Sequence, residues 1–333
     1  MVRAVKDSTR KVLRVGVVGV GIMGSNHARV LTGLPGVELT GVVDPDPAQR
    51  DLIGRLIGCP AVADLDALVK LGVDAVTIAA PTHLHRDLAV ACIERGIHVL
   101  VEKPIASSVE EGRDILVAAR RAGVALMVGH VERFNPAVQA IKQAIRGEDI
   151  LSIAITRVGP FPPRMSNVGV VIDLAVHDID LIRWFTDSDI VEVQPQLSSA
   201  VAEREDIALL QFRTASGVLA HINTNWLTPF KARNVTVATR GKYVMGDLLT
   251  RQVTECFGFQ PDGAYSMRHL SVGHDEPLRA ELIAFVDAIR EGKPPAVTGE
   301  EGVASLEIAI RCLDSKPNSN VAPRRPEPRR VAG

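Results

Sequence analysis

Gly19-Val20-Gly21-Ile22-Met23-Gly24 carries the densest chemical signal in the chain. It stands between an apolar run, Arg14–Val18, and a stretch with helical spacing. In that setting each glycine has a use. Gly19 permits a tight turn, Gly21 lets the backbone approach a pyrophosphate, and Gly24 lets the helix close on the strand. Ile22 and Met23 open the helix, whose first N–H groups and positive dipole end suit phosphate oxygens. Asp44 lies 20 residues beyond Gly24, at the end of the next apolar run. A carboxylate there accepts hydrogen bonds from the adenosine ribose and repels a 2′-phosphate. Pro45-Asp46-Pro47 follows it rather than Arg or Lys, which favours NAD over NADP. Taken alone, the motif also fits a glycine-rich turn with no ligand.

Three further groups could do chemistry. Ala79-Ala80-Pro81-Thr82-His83-Leu84-His85 follows the run Ala75–Ala79. Ligands of open parallel sheets sit off the carboxyl ends of the strands, so Ala80, Pro81, Thr82 and His85 are expected at the cofactor. The paired histidines also suit a metal, but no cysteine or carboxylate set accompanies them, so they read as a helix-start feature and no metal is expected. Glu102-Lys103-Pro104 ends the next strand, which again places Glu102 and Lys103 beside a cofactor. Oxidising a carbinol requires its proton to leave and the developing charge on oxygen to be held, work that suits the Lys103 ammonium. A solvated turn is the alternative. Asp173-Leu174-Ala175-Val176-His177 puts a carboxylate and an imidazole one helical turn apart. Such a carboxylate orients the ring and raises its basicity, as a general base requires. Alternatively Asp173 is a helix N-cap and His177 faces the core, while Asp178 and Asp180 read as surface or packing-edge charges.

The elements that must position these groups are legible as runs. Val37–Val43, His98–Val101 and Val124–Val128 join those above, each near-continuous in aliphatic residues, as strands covered on both faces should be. Helical stretches separate them, so the expectation is a doubly wound parallel α/β sheet. After Gly129 the pattern changes. Helices are expected at Pro136–Ile145 and about Ile172–Phe185. Short strands then follow one another from 190 to about 256 with tight turns, an α+β pattern with a mostly antiparallel sheet. Helices at about Leu278–Arg290 and Gly302–Leu313 close the pattern. The expected domains are 12–130, binding NAD, and 131–314, holding the substrate, with a Pro-rich basic tail over 315–333 read as disordered.

Composition narrows the class. The 333 residues carry 38 Lys+Arg against 39 Asp+Glu, and 46% are apolar. This near-neutral balance offers no broad surface for nucleic acid or anionic lipid. No uncharged apolar run approaches the ~18–20 residues of a membrane span, and no apolar stretch near the N-terminus resembles a secretory signal. Four cysteines without Cys-x-x-Cys spacing read as free thiols in a reducing compartment. A cytoplasmic protein with neither nucleic-acid nor membrane partners is expected.

Together the four motifs resemble the glucose–fructose oxidoreductase / inositol dehydrogenase / MocA family, from about Arg14 to Leu313. The resemblance implies a Rossmann domain with bound NAD and a catalytic set of Lys103, Asp173 and His177. It also implies a cis peptide at Lys103–Pro104 and an open-faced antiparallel sheet that makes homodimer or homotetramer contacts. The segments 128–136, 157–164, 168–181 and 225–229 are similar to a branch that oxidises the 3-hydroxyl of UDP-N-acetylglucosamine. Its 3-keto product goes to a pyridoxal-phosphate aminotransferase. On that resemblance Arg133 and Arg164 are candidates for a diphosphate, Asn135 for the substrate, and Trp226 for a wall against sugar or uracil. Surface ion pairs for the arginines and a core position for Trp226 are the alternatives. The tail after Leu313 departs from the usual family ending. Rival functions are an inositol or free-sugar dehydrogenase, a 4-keto-sugar reductase, and a non-catalytic NAD-sensing protein.

Overall fold

The computed structural model describes residues 12–162 and 168–315, and the chain divides into two compact units. The first contains residues up to His130 together with Leu278–Val303. Its strands are β1 (Leu13–Val18), β2 (Val37–Val43), β3 (Ala61–Val62), β4 (Ala75–Ile78), β5 (His98–Glu102) and β6 (Leu126–Gly129). All pair in parallel in the order β3-β2-β1-β4-β5-β6. The order reverses between β1 and β4, so the turns after these strands open a crevice at their carboxyl ends, where such sheets bind ligands. Helices α1 (Ile22–Thr32), α2 (Pro47–Ile57), α3 (Leu65–Leu71), α4 (His85–Ile93) and α5 (Val109–Ala122) make the crossovers.

The second unit contains Val131–Pro277 and residues from Ala304. It holds α6 (Pro136–Ala144), β7 (Ile150–Pro160), α7 (Val176–Thr186), β8 (Ile190–Ser198), β9 (Ile207–Thr214), β10 (Leu219–Asn225), β11 (Leu227–Thr239), β12 (Lys242–Asp247), β13 (Gln252–Phe257) and β14 (Ser266–Leu270). The sheet order is β14-β13-β12-β11-β7-β10-β9-β8, antiparallel throughout except for β10 with β7. Alternate residues on one face (Ile153 and Ile155, Leu210 and Phe212, Val235 and Val237) pack in a core with α6 and α7. The other face leaves Leu209, Leu219, Tyr243 and Met267 exposed.

Two expectations need correcting. The expected second domain, 131–314, takes in both helices α8 (Pro277–Glu291) and α9 (Gly299–Asp314), yet α8 from Leu278 and α9 as far as Val303 group with the first unit. Arg290 of α8 donates to the Gly36 carbonyl at 2.6 Å, and Glu300 of α9 accepts from Arg120 at 2.7 Å. Gly112 leaves room for Val303, and Gly299 for Leu116 and Leu126. Secondly, the segment before α7 is not a plain helix. Val171–Ala175 forms one wide π turn. Glu205 fixes it, accepting from Val170 N through its backbone carbonyl and from Val171 N through Oε1. A Cβ on Gly169 would lie 1.9 Å from the Glu205 carboxylate, so a side chain there would have to displace Glu205 from the turn it holds. Among the described residues no helix is long and apolar enough to cross a membrane. Beyond Ser315 the expected disordered tail lies outside the described residues.

Candidate active site

The glycine turn has the geometry a pyrophosphate needs. Gly19 has φ +84°, and a Cβ on it would lie 2.8 Å from the Ala80 backbone, so the first and second turns of the crevice meet there. At Gly24 a Cβ would lie 1.7 Å from the Gly19 carbonyl oxygen. At Gly21 it would meet nothing within 4 Å, so the space over the loop is open. Helix α1 begins at Gly21 with no side-chain cap, and Ile22 leaves 76% of its surface exposed. Uncapped helix N–H groups beside an open, partly apolar rim fit a dinucleotide. Asp44 braces this loop, accepting from Val20 N at 2.9 Å and from Asp46 N at 3.0 Å. It stands at the end of β2, where a ribose would bind.

Ala80, Pro81 and Thr82 remain accessible, but His85 is buried, contrary to its expected place at the cofactor. Its Nδ1 lies 2.9 Å from the Pro104 carbonyl and its Nε2 2.9 Å from that of Ala80, so the ring ties two turns of the crevice together. Burial pushes the imidazole toward its neutral form, whereas the two carbonyls favour an N–H on each nitrogen. Glu102 also turns inward. Its Oε1 is 2.9 Å from His27 Nε2, and its Oε2 accepts from the Lys103 backbone N–H at 3.2 Å. The Glu-Lys-Pro turn is therefore held from beneath by Glu102 and His85, with a cis Lys103–Pro104 peptide, and the half-buried Lys103 side chain stands at its edge.

In the second unit, Asp173 lies in the π turn and His177 in the first turn of α7, both half-buried. Beneath them is a charge network absent from the sequence reading. Arg157 of β7 donates to both Asp178 oxygens at 2.7–3.0 Å and to Glu132 Oε1 at 2.8 Å. Arg233 of β11 donates to the same Glu132 oxygen at 2.9 Å, and the Asp173 charge reaches Arg233. Burial alone would raise the Glu132 carboxyl, but Arg157 and Arg233 hold it below the usual carboxylate range.

These contacts correct several expected roles. Asp178 and Asp180 are buried rather than on the surface. Arg133, expected at a diphosphate, is buried with Nε and Nη2 each 2.7 Å from an Asp180 oxygen. Asn135 caps α6 through Ala137 N and donates to Glu132 and to the Leu248 carbonyl, so it is structural. Trp226 is core: it is 3% exposed and meets Phe161 edge-to-face at 5.7 Å. Arg164 lies outside the described residues. The sequence reading passed over His27, Glu132, Arg157, Gly169, Glu205, Arg233 and Glu281. Arg157 left a signal, a charged residue on the same alternating face as Ile153 and Ile155.

The GFO/IDH/MocA oxidoreductase family matches this chain twice, its NAD-binding Rossmann domain over residues 13–130 and its C-terminal domain over 149–244. UDP-N-acetylglucosamine 3-dehydrogenase of Acidithiobacillus ferrooxidans is 29% identical over 303 residues, covering 90% of this chain and 96% of that protein. A solved structure of that enzyme superposes with TM-score 0.84 at 27% identity, again over 90% and 96% of the two chains. Inositol 2-dehydrogenase of Rubrobacter xylanophilus is 31% identical over 329 residues, covering 93% and 92%. With the glycine turn, Asp44 and the Glu-Lys-Pro turn in place, the chain belongs to the GFO/IDH/MocA family and is an NAD-dependent dehydrogenase acting on sugars or polyols.

Proposed function

We propose that the chain oxidises the 3-hydroxyl of UDP-N-acetylglucosamine to a ketone. The observation that carries this reading is the similarity to UDP-N-acetylglucosamine 3-dehydrogenase over 90% of the chain. NAD, bound over Gly21, supplies the two-electron acceptor. His177, oriented by Asp173, accepts the hydroxyl proton, and the Lys103 ammonium holds the oxygen as its charge develops. The Glu132–Arg157–Asp178 network keeps the His177 segment in place, and Arg164 is the remaining candidate for the diphosphate. The 3-keto product then suits transamination by a pyridoxal-phosphate enzyme. A second copy of the chain is the proposed cover for the open face bearing Leu209, Leu219, Tyr243 and Met267.

Oxidation of an inositol is the second reading, favoured by relatives of that activity at 30–31% identity. Titration with UDP in the presence of NADH separates the two. The nucleotide-sugar reading expects saturable binding that myo-inositol does not displace, whereas no UDP binding together with binding of the inositol would favour the rival.

A further inference from the structure

Beneath the Glu-Lys-Pro turn, the first unit buries a cluster that the proposed chemistry does not use. His27 of α1 and Glu281 of α8 are 0% exposed, and Glu102 at the end of β5 is 8% exposed. One ring nitrogen of His27 and one oxygen of each carboxyl group lie within 4.8 Å of one another. Glu102 is fully engaged, Oε1 with His27 and Oε2 with the Lys103 N–H. Gly129 of β6 makes room for it, since a Cβ there would stand 3.1 Å from Glu102 Oε2. Glu281 differs: neither of its oxygens has a hydrogen-bond partner among the described residues.

An ionised Glu281 would place a second buried negative charge beside Glu102 with nothing donating to it, an arrangement that strongly disfavours the charge. The two carboxyl groups resemble an acid pair that retains one proton. Burial and the neighbouring Glu102 charge push Glu281 well above the ordinary carboxylate range. We propose that Glu281 is a positioning residue that keeps its proton in the working enzyme, so that no second buried carboxylate charge stands beside Glu102, which holds the Lys103 turn. The cluster also has the donor types for a divalent cation, and that occupant is the alternative the test excludes. The positioning role rests on the proposed part of Lys103 in the reaction.

The test compares the full-length protein with Glu281→Gln and Glu281→Ala. An infrared difference spectrum, wild type minus Glu281→Gln at neutral pH, should show the C=O stretch of a protonated carboxylic acid, shifted in D2O. Glu281→Ala should lower kcat about tenfold with little change in KM for NAD, and Glu281→Gln, which mimics the neutral acid, should restore most of that loss. A missing carboxylic-acid band overturns the proposal. So does a stoichiometric metal released from wild type but not from Glu281→Gln, or an equal loss of kcat in both variants. The band is read without turnover. A correct band with normal turnover in Lys103→Ala would thus refute the lysine's role while leaving the proton on Glu281.

Discussion

Replacing Arg133 separates two accounts of the 128–136 segment. In the structure its guanidinium makes two 2.7 Å contacts to Asp180, with both side chains at most 4% exposed. Ser305 Oγ donates to the same carboxylate at 3.3 Å. Arg133→Ala removes the cation that makes both 2.7 Å contacts to this buried carboxylate. Breaking a buried pair on one side costs about 3–5 kcal/mol, because the surviving charge has lost its water as well as its partner. The variant also loses the guanidinium lying 5.8 Å from the Trp184 ring centre, which adds about 0.5–1 kcal/mol. Thermal denaturation followed by Trp fluorescence reads the effect, expected as a fall in melting temperature on the order of 10 °C. Asp180→Leu combined with Arg133→Met removes both charges and should recover much of the loss, so the two sites should be strongly non-additive. The contrary result is specific. If Arg133 grips a substrate diphosphate, Arg133→Ala keeps its denaturation midpoint and raises KM for the nucleotide sugar.

Three further outcomes follow from the same geometry. Gly24→Ala drives a methyl against the Gly19 carbonyl at 1.7 Å, so NADH affinity by fluorescence titration should fall at least tenfold, about 1.4 kcal/mol; an unchanged Kd would mean that the turn does not set the site. Asp44→Ala should erode the preference for NAD over NADP, because it removes the carboxylate that accepts from the ribose hydroxyls and repels a 2′-phosphate; an unchanged ratio of Kd values would argue against Asp44 as the discriminating group. Glu281 gives a pH signature: its raised folded pKa means that the native state holds the proton while the unfolded chain releases it above about 4.5, so its contribution is lost as pH rises. Glu281→Gln removes that dependence, and its stability relative to wild type should grow as pH rises above the unfolded value, by at most about 1.4 kcal/mol per pH unit; parallel stability curves would contradict a proton on Glu281.

The parallel sheet was readable because each strand buried on both faces appears as an aliphatic run, and because the glycine turn is a local device. Gly24 is needed for a backbone approach within the one turn and Gly19 for its positive φ there, so the spacing of the two is visible locally, although the approach of Gly19 to Ala80 is not. The charged residues were harder. Arg133, Asp178 and Asp180 look solvent-facing one at a time, and only the pairing of α7 with the 131–134 turn and β7 converts them into buried ion pairs. Arg157 and Asp178 are 21 residues apart, and Glu132 and Arg233 are 101 apart, separations that no local pattern reports. The return of α8 to the first unit has the same character. Glu281 sits beside Leu282 on an otherwise apolar helix face, an irregularity that becomes meaningful only once Glu102 and His27 face it.

The most direct test of the account is absorbance at the reduced-nicotinamide band, with purified protein and NAD mixed with UDP-N-acetylglucosamine, N-acetylglucosamine or myo-inositol, with glutamate and a partner aminotransferase present to draw off the keto sugar. NADH should form with the nucleotide sugar alone, and Lys103→Ala should lose that turnover while retaining NADH binding. Turnover of myo-inositol without turnover of the nucleotide sugar, or full activity in Lys103→Ala, would contradict it.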